Sequence, residues 1–459
     1  METAISFGTD GWRATLDEFT APRVRMVGQA VVDYLDGAGL GDDPVVVGYD
    51  ARETSEGFAK ELARVLAAGG HDVIVPERDR PTPLVAWAIV DRDLAGGLMI
   101  TASHNPPEYN GVKFIPEDGA PALPEVTDRI MENLREPDPL PEERHGNVRR
   151  VDLVESHAEQ AMDLVGADLS ELSVAYDAMH GSGRGTTDAL LERAGATVER
   201  RRCERDPEFG GVSPEPSAEN LEGLVDAVES GDADLGIAND GDSDRIAVVT
   251  PERGFLDENL LFAALYDYLL EEQSGPAVRS VSTTFLIDEI AEANGEEVVE
   301  TPVGFKWVAQ AMAERDALIG GEESGGFTIR GHVREKDGVL TALLAAAAES
   351  EESIDERVDR LLDAHGDIVP GKISVDCPDD QKAAAMAAIE DALPDELAGR
   401  AVAETSTVDG VKLLLDDGSW VLVRPSGTEP KLRVYAEAES TEAVDALLAD
   451  GRELVEANV

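Results

Sequence analysis

Cysteine and long apolar runs are scarce in this chain of 459 residues. The two cysteines, Cys203 and Cys377, do not form a CxxC pair, which favours buried thiols over a disulfide, a redox pair or a zinc site. No apolar run approaches the roughly 20 residues that a membrane-spanning helix needs. The first residues show no basic stretch followed by an apolar segment, so the sequence predicts no signal peptide and a cytoplasmic location.

Positive charge is also scarce, because 39 basic residues stand against 95 acidic ones and give a net charge of −56. A surface this negative repels nucleic acid and anionic membranes, so neither is an expected partner. The acids are spread along the chain among apolar helical patterns, unlike those of a disordered acidic tail. Self-repulsion of this size must be screened, and the Debye length is only about 3 Å at 1 M salt. We therefore expect a halophilic protein adapted to a molar-salt cytoplasm.

Strand-like and helix-like segments alternate along the chain, which contains 42% hydrophobic and 29% charged residues, as folded α/β proteins do. Buried strands are predicted at 44–48, 71–75, 97–100, 174–177, 233–238, 317–320, 372–376 and 420–423, and helices at 55–66, 123–135, 187–195, 258–271 and 380–392. Length and a proline- and acid-rich connector predict four domains, at 1–147, 148–250, 251–368 and 369–459. The first three are candidates for structural repeats.

A polar, glycine-containing loop follows an apolar strand in each of the four blocks. In open α/β sheets the ligand lies at the carboxyl ends of the strands, so four such loops predict one shared cleft.

The loop of the second block carries Asp240, Asp242 and Asp244. Three carboxylates held this closely repel one another unless a cation neutralises them, and hard oxygen ligands suit Mg²⁺ or Ca²⁺. An EF-hand is excluded, because Arg245 and Pro251 stand where that loop needs glycine and glutamate. A solvated acidic turn is the alternative, although apolar flanks on both sides favour a loop that lies on the core.

The loop of the first block presents Ser103 directly after an apolar strand. The serine is either a nucleophile or a cap, and no G-x-S-x-G elbow surrounds it. Lys113 follows between apolar residues. Because the chain retains only eight lysines, we expect Lys113 to have a functional role.

The loop of the fourth block, 424–428, combines a guanidinium, two hydroxyls and free backbone N–H groups. Such a set suits a phosphate group, although an ordinary turn is an equal alternative for this segment alone. The glycine-rich segment 181–185 only partly matches a dinucleotide fingerprint, because Thr186 stands where the third glycine belongs.

Taken together, five segments in chain order resemble the α-D-phosphohexomutase family, which includes phosphoglucomutase, phosphomannomutase and phosphoglucosamine mutase. These segments are FGTDGWR at 7–13, TASHNP at 101–106, DGDSDR at 240–245, GEESG at 321–325 and RPSGT at 424–428. The likeness covers the whole chain. It implies three similar α/β domains with mixed sheets and a smaller α+β C-terminal domain around a central cleft.

The resemblance also implies the chemistry. Ser103 would carry a phosphoryl group, and one Mg²⁺ per chain would bind an oxygen of that phosphoserine together with Asp240, Asp242 and Asp244. Catalytic roles would fall to Ser103, Arg13, His104 and Lys113. The residues implied to bind substrate are Lys306, Glu322, Ser324, His332, Lys336, Arg424, Ser426, Gly427, Thr428 and Arg433.

The implied reaction interconverts hexose 1-phosphate and hexose 6-phosphate through a bisphosphate intermediate, with a hexose bisphosphate as activator. The expected partner is a small phosphosugar, and the expected assembly is a monomer or a homodimer. Two other classes stay open: a Mg²⁺-dependent sugar phosphatase would need the aspartates without four converging loops, and a non-catalytic phosphosugar-binding protein would need neither Ser103 nor the aspartates.

One position departs from the family pattern. Many phosphomannomutase-like members carry a histidine directly after Ser-Gly in the sugar loop, where this chain has Gly326. The run HVREKDG at 332–338 resembles the phosphoglucomutase branch instead, so His332 is expected to contact a hydroxyl or to assist a proton transfer. Glucose 1-phosphate is the expected best substrate and mannose 1-phosphate the second, with phosphoglucosamine mutase as the alternative.

We predict that the folded state is stabilised by salt. Raising KCl from about 0.1 M to about 1 M shortens the Debye length from about 10 Å to about 3 Å and weakens the self-repulsion of the acidic surface. The melting temperature, followed by circular dichroism, should therefore rise by several degrees over this range. A melting temperature that does not change with KCl would contradict the halophile interpretation.

Overall fold

The computed structural model describes residues 5–8, 10–426 and 430–459. Its strands form four sheets of six, five, four and six strands in chain order. The first three sheets are mixed and belong to α/β domains, whereas the fourth is antiparallel and belongs to a smaller α+β domain. The predicted fold class is confirmed.

The first sheet has the strand order β1-β5-β4-β2-β3-β6. The elements of this domain are β1 Trp12–Thr15, α1 Ala21–Ala38, β2 Val45–Tyr49, α2 Ser55–Ala68, β3 Val73–Pro76, α3 Thr82–Asp91, β4 Gly96–Ile100, β5 Tyr109–Pro116, α4 Pro124–Glu132 and β6 Val148–Val151. Strand β6 pairs with β3, so the first sheet extends beyond the predicted boundary at residue 147. The proline-rich connector thus leads back to the first sheet.

The second and third sheets have the orders β11-β10-β9-β7-β8 and β13-β12-β14-β15. The second domain contains α5 Val154–Val165, β7 Ser173–Asp177, α6 Thr187–Arg193, β8 Thr197–Arg201, α7 Glu222–Ser230, β9 Leu235–Asn239, β10 Ile246–Thr250 and β11 Gly254–Phe255. The third contains α8 Glu258–Leu270, β12 Ala277–Ser280, α9 Leu286–Asn294, β13 Val298–Thr301, α10 Phe305–Arg315, β14 Ile319–Glu322, β15 Gly326–Ile329, α11 Gly338–Glu351 and α12 Ile354–His365. Strand β11 pairs with β10, so the second sheet also passes the predicted boundary at residue 250.

One arrangement recurs in these three sheets. The orders β5-β4-β2-β3, β10-β9-β7-β8 and β15-β14-β12-β13 are equivalent, and in each a parallel strand is followed by an antiparallel partner. The loops that the sequence singled out lie in this parallel-to-antiparallel turn, after β4, β9 and β14. The shared order supports the expectation of structural repeats.

The fourth sheet is antiparallel throughout, with the order β16-β21-β20-β19-β18-β17. Its elements are β16 Val369–Asp376, α13 Asp379–Asp391, β17 Glu396–Leu397, β18 Arg400–Ser406, β19 Val411–Leu415, β20 Trp420–Pro425, β21 Lys431–Ala438 and α14 Thr441–Glu456. Both helices pack on one face of the sheet, and the opposite face lies toward the third domain.

The first three domains share a hydrophobic core, which includes Met99, Tyr176 and Phe262 from successive domains, and the first domain has a second core of its own. The fourth domain has a core of its own. Among the described residues, no helix is both long and apolar enough to cross a membrane. Cys377 is buried and Cys203 is partly exposed, and both are free thiols.

Candidate active site

The three turns described above meet at one place. Ser103 Oγ in the first turn donates a hydrogen bond to Asp240 Oδ2 in the second at 2.8 Å. The backbone N–H of Ile246, at the end of the second turn, donates to the carbonyl of Gly325 in the third at 2.9 Å. The predicted convergence of these three loops is therefore present in the fold.

Asp240, Asp242 and Asp244 are fully buried, and one carboxylate oxygen from each lies within 4.8 Å of the others. Burial, together with the charges of its two neighbours, raises the pKa of Asp240 well above its usual value. Asp242 Oδ2 accepts a hydrogen bond from the Thr82 hydroxyl at 2.7 Å, but Asp242 Oδ1 is buried without a partner among the described residues. An unsatisfied oxygen among crowded carboxylates fits a divalent cation, so the triad is a candidate metal site.

Ser103 is fully buried and has a left-handed backbone with φ of 51°. Outside glycine this conformation costs about 1–3 kcal/mol and persists only where the surroundings impose it. The backbone N–H of Ser103 donates to the Thr101 hydroxyl at 2.8 Å, and His104 Nδ1 lies 3.1 Å from Ser103 Oγ.

Arg52 imposes this conformation, and the sequence analysis did not single it out. Its guanidinium donates to the carbonyls of Ser103 at 2.8 Å, Asn105 at 2.6 Å and Pro106 at 2.6 Å. Asp50 in turn accepts from Arg52 Nε at 3.0 Å and from the Thr101 hydroxyl. The sequence signal for Arg52 was a D-x-R pattern at 50–52, directly after a buried strand.

Lys113 and Lys336 supply positive charge beside the triad. Lys336 Nζ lies 2.9 Å and Lys113 Nζ 3.5 Å from Asp244 Oδ2, and both side chains are buried. Burial alone would raise the pKa of Asp244, yet these two lysines lower it to about 2. Burial likewise disfavours the charged form of Lys113, but Asp10 and Glu335, each 3.5 Å away, raise its pKa above the usual value.

Asp10 and Glu335 complete this cluster and were not predicted as site residues. Burial raises the pKa of Glu335 to about 7, against the opposing charge of Lys113. Asp10 also pairs with Arg13 at 2.8 Å, which brings that predicted catalytic residue to the same cluster. The predicted catalytic His104 is neutral here, because Arg245 and burial lower its pKa to about 2.

The loop at 321–325, which is predicted to bind the sugar, lies beside the segment at 303–306. Glu322 is buried, and its Oε1 accepts a hydrogen bond from the backbone N–H of Gly304 at 2.8 Å. Lys306 follows in that segment, and burial lowers its pKa. Ser324 is half-buried in the turn between β14 and β15. The structure therefore brings Glu322, Ser324 and Lys306 to the same region.

Gly326 has a steric reason to be glycine. A Cβ at this position would lie 2.4 Å from Lys336 Cδ and 2.9 Å from Lys336 Cγ. The carbon chain of Lys336 thus occupies the space that a side chain at position 326 would need, and it delivers the ammonium group to Asp244.

His332 does not lie with these groups, so its expected contact with the sugar is not supported. Its side chain is fully buried, its Nε2 lies 2.8 Å from Asp337 Oδ2, and its ring stacks on Trp87. His157 Nε2 approaches the same carboxylate oxygen at 2.6 Å. Side chains of this run point in different directions, because Lys336 reaches Asp244 whereas His332 contacts Asp337. The three residues join α5 to the segment that carries Lys336.

The phosphate-type loop begins at Arg424, whose guanidinium pairs with Asp409 at 3.0 Å. Asp409 also accepts from the backbone N–H of Val303 at 3.1 Å, which ties this loop to the third domain. Arg433 lies opposite Arg424 on the neighbouring strand β21. Ser426 is buried. The predicted residues Gly427 and Thr428 lie outside the described part of the chain.

Comparison with known proteins identifies the architecture. Models of the phosphoglucomutase/phosphomannomutase α/β/α domains I, II and III and of the C-terminal domain match residues 4–140, 152–254, 257–365 and 373–454, respectively. The chain belongs to this family. Its members are isomerases that move a phosphoryl group within a sugar phosphate, and this chain is an enzyme of that type.

The relatives carry different substrate names. A protein from Methanopyrus kandleri, provisionally named a phosphoglucosamine mutase, is 36% identical over 95% of this chain and 94% of its own length. From Thermococcus kodakarensis, a phosphoglucomutase/phosphomannomutase is 34% identical over 98% of both chains, and a phosphopentomutase is 34% identical over 96% of this chain and 95% of its own. A solved structure from Thermus thermophilus, provisionally named a phosphomannomutase, is 33% identical with a TM-score of 0.87, over 99% of this chain and 100% of that one. Family membership therefore leaves the sugar undetermined.

We predict that Gly326→Ala lowers mutase activity. A methyl group forced into this packed interior typically costs about 1–3 kcal/mol. Lys336 would have to leave Asp244 to relieve the clash, so kcat/KM should fall about tenfold or more. Gly57→Ala is the matched control, because a Cβ there meets nothing within 4 Å. Equal activity of the two variants would show that the position of Lys336 does not matter.

Proposed function

We propose that this enzyme interconverts hexose 1-phosphate and hexose 6-phosphate, with glucose as the preferred hexose and mannose as the second. The carrying observation is the buried hydroxyl of Ser103, which lies 2.8 Å from Asp240 Oδ2 within the aspartate triad. A hydroxyl in this place can carry a phosphoryl group beside a cation, facing the sugar loop of the third domain.

In the proposed reaction Ser103 carries the phosphoryl group and donates it to the free hydroxyl of a bound hexose phosphate. One P–O bond to the serine breaks as one P–O bond to the sugar forms, which gives a hexose bisphosphate. Lys113 assists the transfer of the hydroxyl proton through the carboxylates around it, Asp10 and Glu335. The bisphosphate then turns over in the site and returns its other phosphoryl group to Ser103. A free hexose bisphosphate serves as activator, because it can phosphorylate an empty serine.

Catalysis of phosphoryl transfer depends mainly on positioning and on neutralising the charge of the transferring group. Asp240, Asp242 and Asp244 would hold Mg²⁺ with an oxygen of the phosphoserine, and the ion would draw negative charge away from the transferring phosphoryl group. Lys113 and Lys336 add two charged ammonium groups at the same place. The negative charge of the three aspartates alone would repel a phosphoryl group, so these cations are needed to neutralise it.

The remaining residues would bind and orient the sugar phosphate. Glu322 and Ser324 would contact sugar hydroxyls, with Lys306 beside them. Arg424, Ser426, Gly427, Thr428 and Arg433 would hold the phosphate that does not react. Exclusion of water matters, because water at the phosphoserine would turn the mutase into a phosphatase.

Phosphoglucosamine mutase is the alternative function, because several relatives bear that name. Glu322 and Ser324 would contact hydroxyls that glucose and mannose share, so this pair cannot discriminate between them. Because Lys336 fills the space beside Gly326, the discrimination at the second carbon falls to other neighbours in the loop, such as Glu323.

We predict that Ser103→Ala abolishes mutase activity. Intact-mass analysis of the protein as purified should show one added phosphoryl group on the wild type and none on this variant. Ser170→Ala, at an exposed position far from the triad, is the matched control and should keep both the mass increment and the activity. Full activity of Ser103→Ala with an unchanged melting temperature would rule out the assigned carrier.

We also predict the order of substrates. In molar KCl with a hexose bisphosphate activator, kcat/KM should be highest for glucose 1-phosphate, appreciable for mannose 1-phosphate and lowest for glucosamine 1-phosphate. A site that hydrogen-bonds a particular hydroxyl rejects analogues that lack it. Turnover should stop after treatment with EDTA and return with Mg²⁺. A strong preference for glucosamine 1-phosphate would overturn the glucose assignment, and release of inorganic phosphate without isomerisation would indicate a phosphatase.

A further inference from the structure

A groove lies on the first domain, away from the catalytic loops. A cavity of about 720 Å³ opens between helix α2, the edge strand β6 and the connector that precedes β6. This volume falls within the roughly 300–1,000 Å³ that is usual for small-molecule pockets. Among the described residues, the walls include none of the groups assigned above to catalysis or to substrate binding.

The floor of the groove is apolar. Helix α2 presents Ala59, Ala63 and Ala67 on successive turns, and Val75 and Val148 face them from the edge of the sheet. Alanine side chains are short, so the helix does not fill the space beside β6. The floor can therefore accept an apolar body of some size.

The rim of the groove is basic, whereas the protein as a whole is strongly acidic. Its permanent cations are Lys60, Arg64, Arg149 and Arg150, and Glu56 is the single carboxylate among the described residues that line it. In the whole chain, by contrast, 95 acidic residues stand against 39 basic ones. An adjoining cavity of about 180 Å³ shares Arg64 and adds a further arginine.

Salt bridges within the protein do not account for this cluster. Glu56 pairs with Lys60 at 2.8 Å and with Arg150 at 3.4 Å, and Glu61 pairs with Arg64 at 2.7 Å. All three cations are more than half exposed. Exposed pairs of this kind contribute only about 0–1 kcal/mol. Arg149 forms no salt bridge within the part of the chain that the structure describes. Lys60 is moreover one of only eight lysines in the chain.

We propose that this groove binds a small organic phosphate. The apolar body of the ligand lies against the alanine face of α2, and the phosphate contacts Arg149, Arg150 and Lys60 at the rim. Arginine binds phosphate through two parallel N–H donors of a single guanidinium. Successive residues of a strand point to opposite faces, so Arg149 and Arg150 flank the open edge of β6. The bounded, concave shape favours a small molecule over a protein surface. This site is separate from the proposed phosphosugar site.

The test is calorimetric titration of the full chain with AMP, hexyl phosphate, adenosine and inorganic phosphate, at the lowest KCl concentration that keeps it folded. AMP or hexyl phosphate should bind with one site per chain. Adenosine lacks the phosphate and inorganic phosphate lacks the apolar body. Each should therefore bind at least about tenfold more weakly, a difference of about 1.4 kcal/mol.

Two double variants with the same change in net charge localise the site. Lys60→Gln/Arg149→Gln should weaken binding at least about tenfold. Arg315→Gln/Arg452→Gln, at two exposed positions outside the groove, should leave it unchanged. Mutase activity should persist in both double variants. The proposal is wrong if neither AMP nor hexyl phosphate binds, or if the two double variants bind them equally well.

Discussion

The burial of three carboxylates in one loop is the constraint on which the rest of the site depends. Asp240, Asp242 and Asp244 are fully buried in a chain whose net charge is already −56, so their counter-charge has to come from close by. The protein brings it from two other domains, with Lys336 at 2.9 Å and Lys113 at 3.5 Å from Asp244. Arg245 supplies one local cation, 3.9 Å from Asp244 Oδ1, but neither lysine is near the triad in sequence. The rest of the counter-charge therefore arrives only when the first and third domains pack against the second. The shared hydrophobic core of these domains is thus coupled to the chemistry of the site.

The repeated sheet order explains how three loops from different domains can meet with such small separations. Each loop makes the turn from a parallel to an antiparallel strand, and each contains one left-handed residue: Ser103 with φ of 51°, Ser243 with 57° and Gly325 with 80°. Only the last is a glycine, so the first two loops carry backbone strain of about 1–3 kcal/mol per residue. Hydrogen bonds from Arg52 to the backbone offset the strain at Ser103, and the bond to Asp240 orients its hydroxyl. The strained serine is therefore held toward Asp240 before any substrate arrives.

The sequence was sufficient to predict whatever depends on local pattern. Apolar strands followed by polar glycine loops led to the loops around Ser103, Asp240 and Glu322 and to the four-domain architecture. The sequence pattern could not predict which side chains these residues contact, because their partners come from distant parts of the chain. Lys113 and Glu335, for example, are 222 positions apart. Strand β6 was missed because its exposed Val-Arg-Arg-Val lacks a buried pattern. The resemblance that pointed to His332 could not show that its side chain pairs with Asp337, 2.8 Å away.

The lysines connect the acidic composition to the placement of the fourth domain. Lys412, on β19, is 2% exposed and inserts between Phe285 and Trp420, with its Nζ 4.2 Å and 4.3 Å from the two ring centres. It donates to the carbonyl of Val281 at 2.7 Å and pairs with Glu300 at 3.1 Å, so it joins the fourth domain to the third. Burial and the nearby charge of Arg279 lower its pKa to about 8. A surface lysine in so acidic a protein would form exposed pairs of little energetic value, whereas a buried lysine gains from desolvated contacts with rings and carbonyls. A chain that retains few lysines thus places several of them where domains meet, and the position of the arginine-bearing loop of the fourth domain depends on one of these contacts.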